Sequence, residues 1–562
     1  MGSDLKILLR VLALFAPYRR WMLLGVLLST ITVLGSVGLM AIAGHFIAAM
    51  AIAGLAGVLM NYFLPAVGIR FLAILRTGGR YAERVASHDA TFRLLAQLRV
   101  WLFRKLEPLG PGQLANERGA DLAARIQNDV DTLQHAYLRL YVPLLTALAC
   151  TTVVVAFFAW RSVAAAIVLF ALMVTAGVIV PLIVRRASAA PGAAAVKAHA
   201  ALRVALVDAL QGMGDLAAYG ANGLKAKEIA AIGDDLAAQQ KRAGAFTVSA
   251  EGVVGLCAGL AMWLTALIAI AATGDGALGP AEVPMLALAA LAAFEAVAPL
   301  PLAMQRSTEV VAAARRIFAL ADTAPAMPDP AGASPTPVDN GIVMRNVSLR
   351  HEGSARLALD AIDLALPEGR RMAVTGSSGA GKSSIARVWV RFSDYTGEVR
   401  FGGHDLRSYR AEDLRDRIAV LTQYTHLMTG TLRENLLLAA PEADHAAIAD
   451  ALDAAQLRDF VAAQPLGLDT PVGEGGLSLS AGQARRLAIA RVLLRKAAVV
   501  VLDEPTEGLD PETARKVLQG VFYRMVGRSV LVITHDLTQV DEWVDEVVNM
   551  EEGRIFRRDE SR

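Results

Sequence analysis

Gly376-Ser377-Ser378-Gly379-Ala380-Gly381-Lys382-Ser383 fits the spacing G-x-x-x-x-G-K-[ST], and the chemistry of that spacing is phosphate binding. Glycines let backbone N–H groups close on phosphate oxygens, and a helix beginning behind them adds positive potential. Lys382 would reach the β- and γ-phosphates of a nucleotide, Ser383 would ligate Mg²⁺, and Ser384 follows in the helix start. Four further groups come after it in order: Gln423, Leu479-Ser480-Ala481-Gly482-Gln483, Asp503-Glu504 and His535. Each has a task in nucleotide hydrolysis. Asp503 can hold Mg²⁺ through water, and Glu504 can polarise the attacking water as a general base. His535 can hydrogen-bond the γ-phosphate, and Gln423 can sense Mg²⁺. Phosphoryl transfer is chiefly positioning and charge stabilisation, so these residues suffice, with Lys382, Glu504 and His535 as the catalytic set. Ser480, Ala481, Gly482 and Gln483 open a helix and form a second anion site. Two such domains placed head to tail would each cap the other's ATP.

The elements that must position these groups are legible around them. Arg371–Thr375 reads as a short buried strand before the loop, and 384–389 as the helix after it. Ile418–Leu421 is a strand ahead of Gln423. Val499–Glu504 is a buried strand ending in two carboxylates, and Leu531–His535 is another ending in histidine. Strands that alternate with helical stretches over 339–562 specify one α/β domain. Ahead of it, 321–338 is rich in Pro and Ala and reads as a semi-rigid linker.

The first half of the chain has a different character. The protein has 562 residues, 55% of them hydrophobic, with a mean hydropathy of +0.44. Six spans are expected at about 21–43, 51–73, 141–159, 162–184, 247–272 and 281–303, each near the ~20 residues a bilayer requires. Arginines and lysines flank the first span at its start and follow the second, fourth and sixth, so both termini are expected in the cytoplasm. No cleaved signal peptide is read at the N-terminus. Residues 76–140 and 185–246 are helical cytoplasmic continuations of the spans, each broken once, at Pro108–Gly112 and at Gly212–Asp215. The net charge of +2 gives no reason to expect a nucleic acid partner. The two cysteines, Cys150 and Cys257, lie in apolar runs and suggest neither a disulfide framework nor a metal site. Arg76, Arg80, Arg84 and His88 recur every four residues and share a helix face. Two readings stand: a basic stripe at the membrane surface, or a site for an anionic substrate in which His88 could ligate haem iron. Glu295 and His45 fall inside spans, where ionisable residues are functional suspects.

The five motifs together resemble those of an ATP-binding cassette. Behind six spans with long cytoplasmic extensions, they make the chain resemble an ABC exporter half-transporter over essentially its whole length. The resemblance implies a type IV exporter fold: a six-span α-helical transmembrane domain over 1–320, a linker over 321–338, and an α/β P-loop cassette over 339–562. ATP and Mg²⁺ are the implied cofactors. A narrower resemblance is carried by Arg80-Tyr81-Ala82-Glu83-Arg84-Val85-Ala86-Ser87-His88-Asp89-Ala90-Thr91-Phe92-Arg93, by Arg485–Arg491 and by Asp503–Asp510. These segments resemble the CydC family, half of a CydDC-type heterodimer of the bacterial inner membrane needed for cytochrome bd assembly. That family implies a CydD-like partner and, as cargo, cysteine, glutathione or haem b, with His88, Arg84 and Arg80 as candidate contacts. The chain departs from the usual cassette at Ala481, normally glycine, and at His351, where an aromatic residue normally stacks on adenine. Two other readings are a lipid or multidrug half-exporter working as a homodimer, and a regulatory ATP-gated subunit with no pumped cargo.

Overall fold

The computed structural model describes residues 2–110, 113, 119–351, 353–423, 425–473, 476 and 478–557. The chain forms two compact units. One comprises Met1–Leu106 and Ala120–Asp322, the other Glu107–Gly119 and Thr323–Arg562.

Among the described residues, every regular element of the first unit is a helix. A short helix, Gly2–Leu14, is followed among the described residues by six long passes over 19–56, 63–106, 119–161, 163–211, 222–274 and 282–321. Among the described residues, five helical stretches are long and apolar enough to cross a membrane: Ala16–Ala56, Ile126–Arg161, Val163–Gln211, Asn222–Gly274 and Glu282–Ala321. The remaining pass, Phe63–Leu106, carries Arg70, Arg76 and Arg80 in its first half. Its start corrects the expected second span at 51–73. Residues up to Ala56 complete the first pass, Gly57 caps it in the left-handed region at φ 67°, and the next helix begins only at Phe63. The apolar residues 51–60 run through the start of that turn and hid it. The last expected span, 281–303, is also interrupted. Helix Glu282–Ala293 ends in a tight turn over Phe294–Ala296, and a new helix starts at Leu300. Pro299 and Pro301 lack the N–H that would continue the ladder. Two wider turns, Ala136–Tyr141 and Thr175–Ile179, stand just ahead of Pro143 and Pro181, where an extra residue accommodates the proline ring.

The expected breaks in the extensions lie where the sequence placed them. Helix Phe63–Leu106 stops two residues before Pro108, and helix Val180–Gln211 stops at Gly212, followed by the short helix Met213–Ala218. Pro111 and Gly112 of the first break lie outside the described residues.

The second unit holds two sheets. An antiparallel sheet in the order β2-β1-β4-β5 is built from β1 (Ile342–Arg350), β2 (Leu357–Leu366), β4 (Thr396–Phe401) and β5 (His404–Asp405). The other runs β10-β9-β3-β8-β7-β6, from β3 (Arg371–Thr375), β6 (Ile418–Leu421), β7 (Val499–Asp503), β8 (Ser529–Ile533), β9 (Glu546–Glu551) and β10 (Arg554–Arg557). Its strands pair in parallel except at the β9–β10 edge. Every residue of β7 and β8 is buried, as expected of strands covered on both faces. The register is what matters for function. Val374 pairs with Ile533, Asp503 with Ile533, and Leu421 with Leu502. The carboxyl ends of β3, β8, β7 and β6 are therefore level, and whatever follows each strand emerges along one edge, where open parallel sheets bind ligands.

Candidate active site

The loop between β3 and helix Lys382–Trp389 is glycine-rich for steric reasons. Gly376, Gly379 and Gly381 have φ of 151°, 81° and 101°. A Cβ on Gly376 would strike the Met550 carbonyl, and one on Gly381 the Ala358 carbonyl, so neither position admits a side chain. Lys382 is buried, and its Nζ donates to the carbonyls of Gly376 at 2.6 Å and Ser377 at 3.0 Å. The ammonium is thus folded over the loop. Burial lowers its pKa, while the nearby Glu504 and Asp503 carboxylates push it back up.

Asp503 closes β7 and is 4% exposed. Burial raises its pKa first, and a hydrogen bond with the Ser383 side chain opposes that shift. Its Oδ1 is buried without a protein partner. A hydroxyl and an orphaned carboxylate oxygen, side by side beneath a phosphate loop, are the hard oxygen donors Mg²⁺ takes when phosphate oxygens complete its shell. The residues present therefore fit that ion.

Glu504 adopts φ 51°, a left-handed backbone unusual for a residue with a side chain. Its N–H donates to the Ile533 carbonyl at 2.8 Å. Its Oε2 lies 2.8 Å from Nδ1 of His535. A carboxylate only accepts, so Nδ1 carries the proton. His535 is largely exposed, and the hydrogen bond to Glu504, then the charge of Glu504, raises its pKa.

These groups share one cavity of about 670 Å³, lined by Ser378–Ser384, Gln423, Asp503, Glu504 and His535, with His351 at its wall. His351 Nε2 sits 3.0 Å from the Ser384 hydroxyl, and burial followed by the charge of Arg387 lowers its pKa. Ser480–Gln483 do not line this cavity. Ser480 instead caps helix Ala481–Leu494: its hydroxyl accepts from Gln483 N at 3.2 Å, and Gln483 Oε1 accepts from Ser480 N at 2.8 Å. Ser480 and Ala481 are exposed, whereas a Cβ on Gly482 would come within 3.1 Å of the Gly508 carbonyl. The departure from glycine at position 481 therefore falls at an exposed residue, and the tight position keeps its glycine.

In the helical unit, Arg76, Arg80 and Arg84 line a separate cavity of about 370 Å³ with Thr77 and Tyr81. Arg80 also pairs with Glu295 at 2.7 Å, which gives that intramembrane carboxylate a partner. His88, one turn on, is exposed beside Phe92, with ring centres 6.2 Å apart, and does not line the cavity.

Residues 359–507 match the family model described as ABC transporter. Over 99% of its length, and 96% of the relative's, the chain is 36% identical to the glutathione/L-cysteine transport system ATP-binding/permease protein CydC of Escherichia coli (strain K12). The chain belongs to the CydC family of ABC transporters. A second CydC, from Haemophilus influenzae, is 32% identical over 98% of this chain and 96% of its own. A bacterial Atm1-family ABC exporter with ATP bound shares the fold at a TM-score of 0.83 and 21% identity, covering 96% of this chain and 95% of that one. As a CydC-family member the chain is a multi-pass membrane protein. It uses ATP with Mg²⁺ and couples hydrolysis to transport.

One residue close to this chemistry went unassigned in the sequence. Arg485 was legible only as a basic residue in the helix that Ser480 caps. Its burial at 5% exposure, among the backbones that carry Gln423 and Glu504, has no signature in residue type alone.

Proposed function

We propose that this chain is one half of a heterodimer with a CydD-like partner, moving cysteine or glutathione from the cytoplasm across the bacterial inner membrane. Both termini and the cassette face the cytoplasm in this reading. It rests first on the split between two parts of the cassette. One cavity gathers Lys382, Ser383, Gln423, Asp503, Glu504 and His535, while Ser480–Gln483 are presented elsewhere on an exposed helix start. A cassette that holds its hydrolytic groups in one place and offers its signature in another needs a second cassette to complete both sites.

The chemistry follows from the resting contacts. Mg²⁺ held by Ser383 and Asp503 would neutralise charge on the β- and γ-phosphate oxygens. Lys382 exchanges its two loop carbonyls for phosphate oxygens. Glu504 takes the proton of the attacking water, and to do so it gives up His535, which turns toward the γ-phosphate. Gln423, at the cavity wall, links the arrival of the ion to the rest of the chain. The remaining residues of the phosphate loop supply backbone N–H donors.

The cargo assignment draws on the CydC relatives and on the arginine-lined cavity. Three guanidinium groups around about 370 Å³ suit a small molecule bearing carboxylates, which cysteine and glutathione both are. Haem b is the second reading, favoured by His88 standing exposed on the same helix face as Arg84 and Arg80. In that reading its propionates pair with the arginines. The test uses the co-expressed pair in inside-out vesicles. ATP-dependent uphill uptake of glutathione or cysteine is the expected result. A chain that purifies alone as a homodimer with full ATPase activity indifferent to thiols overturns it and returns the lipid or multidrug reading. Haemin titration decides the second reading: a Soret shift that persists unchanged in His88→Ala removes the histidine from it.

A further inference from the structure

Arg485 lies in the second turn of helix Ala481–Leu494, just behind the exposed Ser480 and Ala481. Its side chain turns inward. Nη1 donates to the carbonyls of Thr422 at 2.6 Å and Gln423 at 3.0 Å and to Thr425 Oγ1 at 3.2 Å. Nη2 donates to the carbonyls of Asp503 and of Glu504, the latter at 2.6 Å. Four of these five acceptors are main-chain oxygens. The guanidinium therefore fixes where two backbone segments lie, a task for its rigid planar fork.

The two segments are the ones on which hydrolysis depends. The Nη2 bonds fall on the carbonyls either side of the φ of Glu504, the angle that sits at 51°. Such a conformation persists only where its surroundings over-determine it. The bond from Glu504 N–H to Ile533 holds one side of that residue, and Arg485 holds the other. The left-handed turn is also what directs the Glu504 carboxylate to the cavity and to His535. Through Nη1 the same guanidinium fixes the start of the segment that follows β6, where Gln423 enters the cavity wall.

We infer that Arg485 is a positioning residue for ATP hydrolysis: it clamps the Gln423 segment to the Asp503–Glu504 turn and so holds the general base in register. The inference rests on the roles proposed above for Glu504 and Gln423. It also makes one helix serve two purposes, its N-terminus presented outward and its inner face supporting this chain's own site.

The experiment is steady-state ATPase of the complex assembled with its co-expressed partner, with nucleotide affinity measured on the same samples by a fluorescent ATP analogue. Glu504→Gln first defines the share of turnover that belongs to this chain's site. Within that share, Arg485→Met is expected to lower kcat on the order of 10²-fold, the scale of a ~1 Å misplacement of a catalytic group. Nucleotide affinity stays within about threefold, because the clamp touches none of residues 376–384 and reaches Asp503 and Gln423 only through their backbone carbonyls. Arg485→Lys, which keeps charge and donors but not the fork, recovers part of the loss. Arg485→Gln, able to reach one segment but not both, gives the same kcat-selective loss and decides the matter if Arg485→Met does not assemble. A kcat within about twofold of the parent, or affinity falling in parallel with kcat, overturns the inference. If Glu504→Gln itself removes no turnover, the assignment of the general base fails. If it removes turnover while the Arg485 variants do not, only the positioning role fails.

Discussion

At the scale of single residues, the pairing of Glu504 with His535 defines the resting site. Hydrogen bonding to the carboxylate raises the pKa of His535, so the imidazole stays charged at a pH where an unpaired one has become neutral. The sign follows directly. The interaction is complete below the ordinary histidine value and is lost as pH rises through the elevated one. In Glu504→Gln the midpoint of His535 falls toward the ordinary value, measurable by NMR with ¹³C-labelled imidazole in the assembled complex. A midpoint that does not move means that the pair does not exist in solution. Lys382 answers a different question. Its ammonium is already desolvated and held by loop carbonyls, so Lys382→Ala removes the phosphate contact and, with it, a positive charge beside Asp503 and Glu504. Hydrolysis at this site is expected to fall by about 10²-fold or more, the usual cost of losing a preorganised charge at the transition state. Most of these residues were legible because their chemistry dictates their type and order. Arg485 was not, because nothing in a sequence separates a buried arginine that donates five hydrogen bonds from one on a solvated face.

At the scale of elements, the site exists because four strands end level. The pairing of Asp503 with Ile533, and of Ile533 with Val374, brings three motifs distant in sequence to one edge. Buried strands with polar residues at their carboxyl ends announced this edge, but the register itself depends on pairing that only the fold reveals. Two small residues test the site, Gly381 in the phosphate loop and Ala481 at the start of its own helix. Gly381→Ala places a Cβ against the Ala358 carbonyl at φ 101°, so nucleotide binding should be lost. Ala481→Gly, at an exposed helix start, should leave turnover within about twofold, since a Gly–Ala exchange costs about 1 kcal/mol at most in a helix. Equal effects of the two changes would contradict the steric difference between the two positions. The linker is less free than its proline and alanine content suggested. Arg391, itself at φ 57° and buried, pairs with Asp329 at 2.8 Å and donates to the carbonyls of Pro328 at 2.8 Å, Met327 at 3.3 Å and Tyr409. Arg391→Ala should destabilise the cassette by about 2 kcal/mol or more, read as a lower melting temperature of the complex. The helical passes were legible from apolar length, whereas their ends were not. Gly57 ends a helix inside an apolar run, and the prolines at 299 and 301 interrupt another.

At the scale of the whole molecule, the chain combines a helical membrane unit with a cassette unit that also takes in Glu107–Gly119. Within the cassette unit Gln113 donates to the Ala324 carbonyl at 3.0 Å and accepts from Ala326 N at 3.0 Å, which ties that segment to the linker. Breaking this tie should separate hydrolysis from transport: Gln113→Ala is expected to keep basal ATPase and lose its stimulation by thiols. Membership of the CydC family accounts for both units in one protein. The central claim is that hydrolysis at this chain's own cavity drives uptake of a small thiol by the assembled pair. Its most direct measurement is ATP-dependent accumulation of labelled glutathione in inside-out vesicles carrying the co-expressed pair, with and without Glu504→Gln. Uphill accumulation with the parent chain and none with Glu504→Gln is the expected result; accumulation that survives Glu504→Gln unchanged would contradict it.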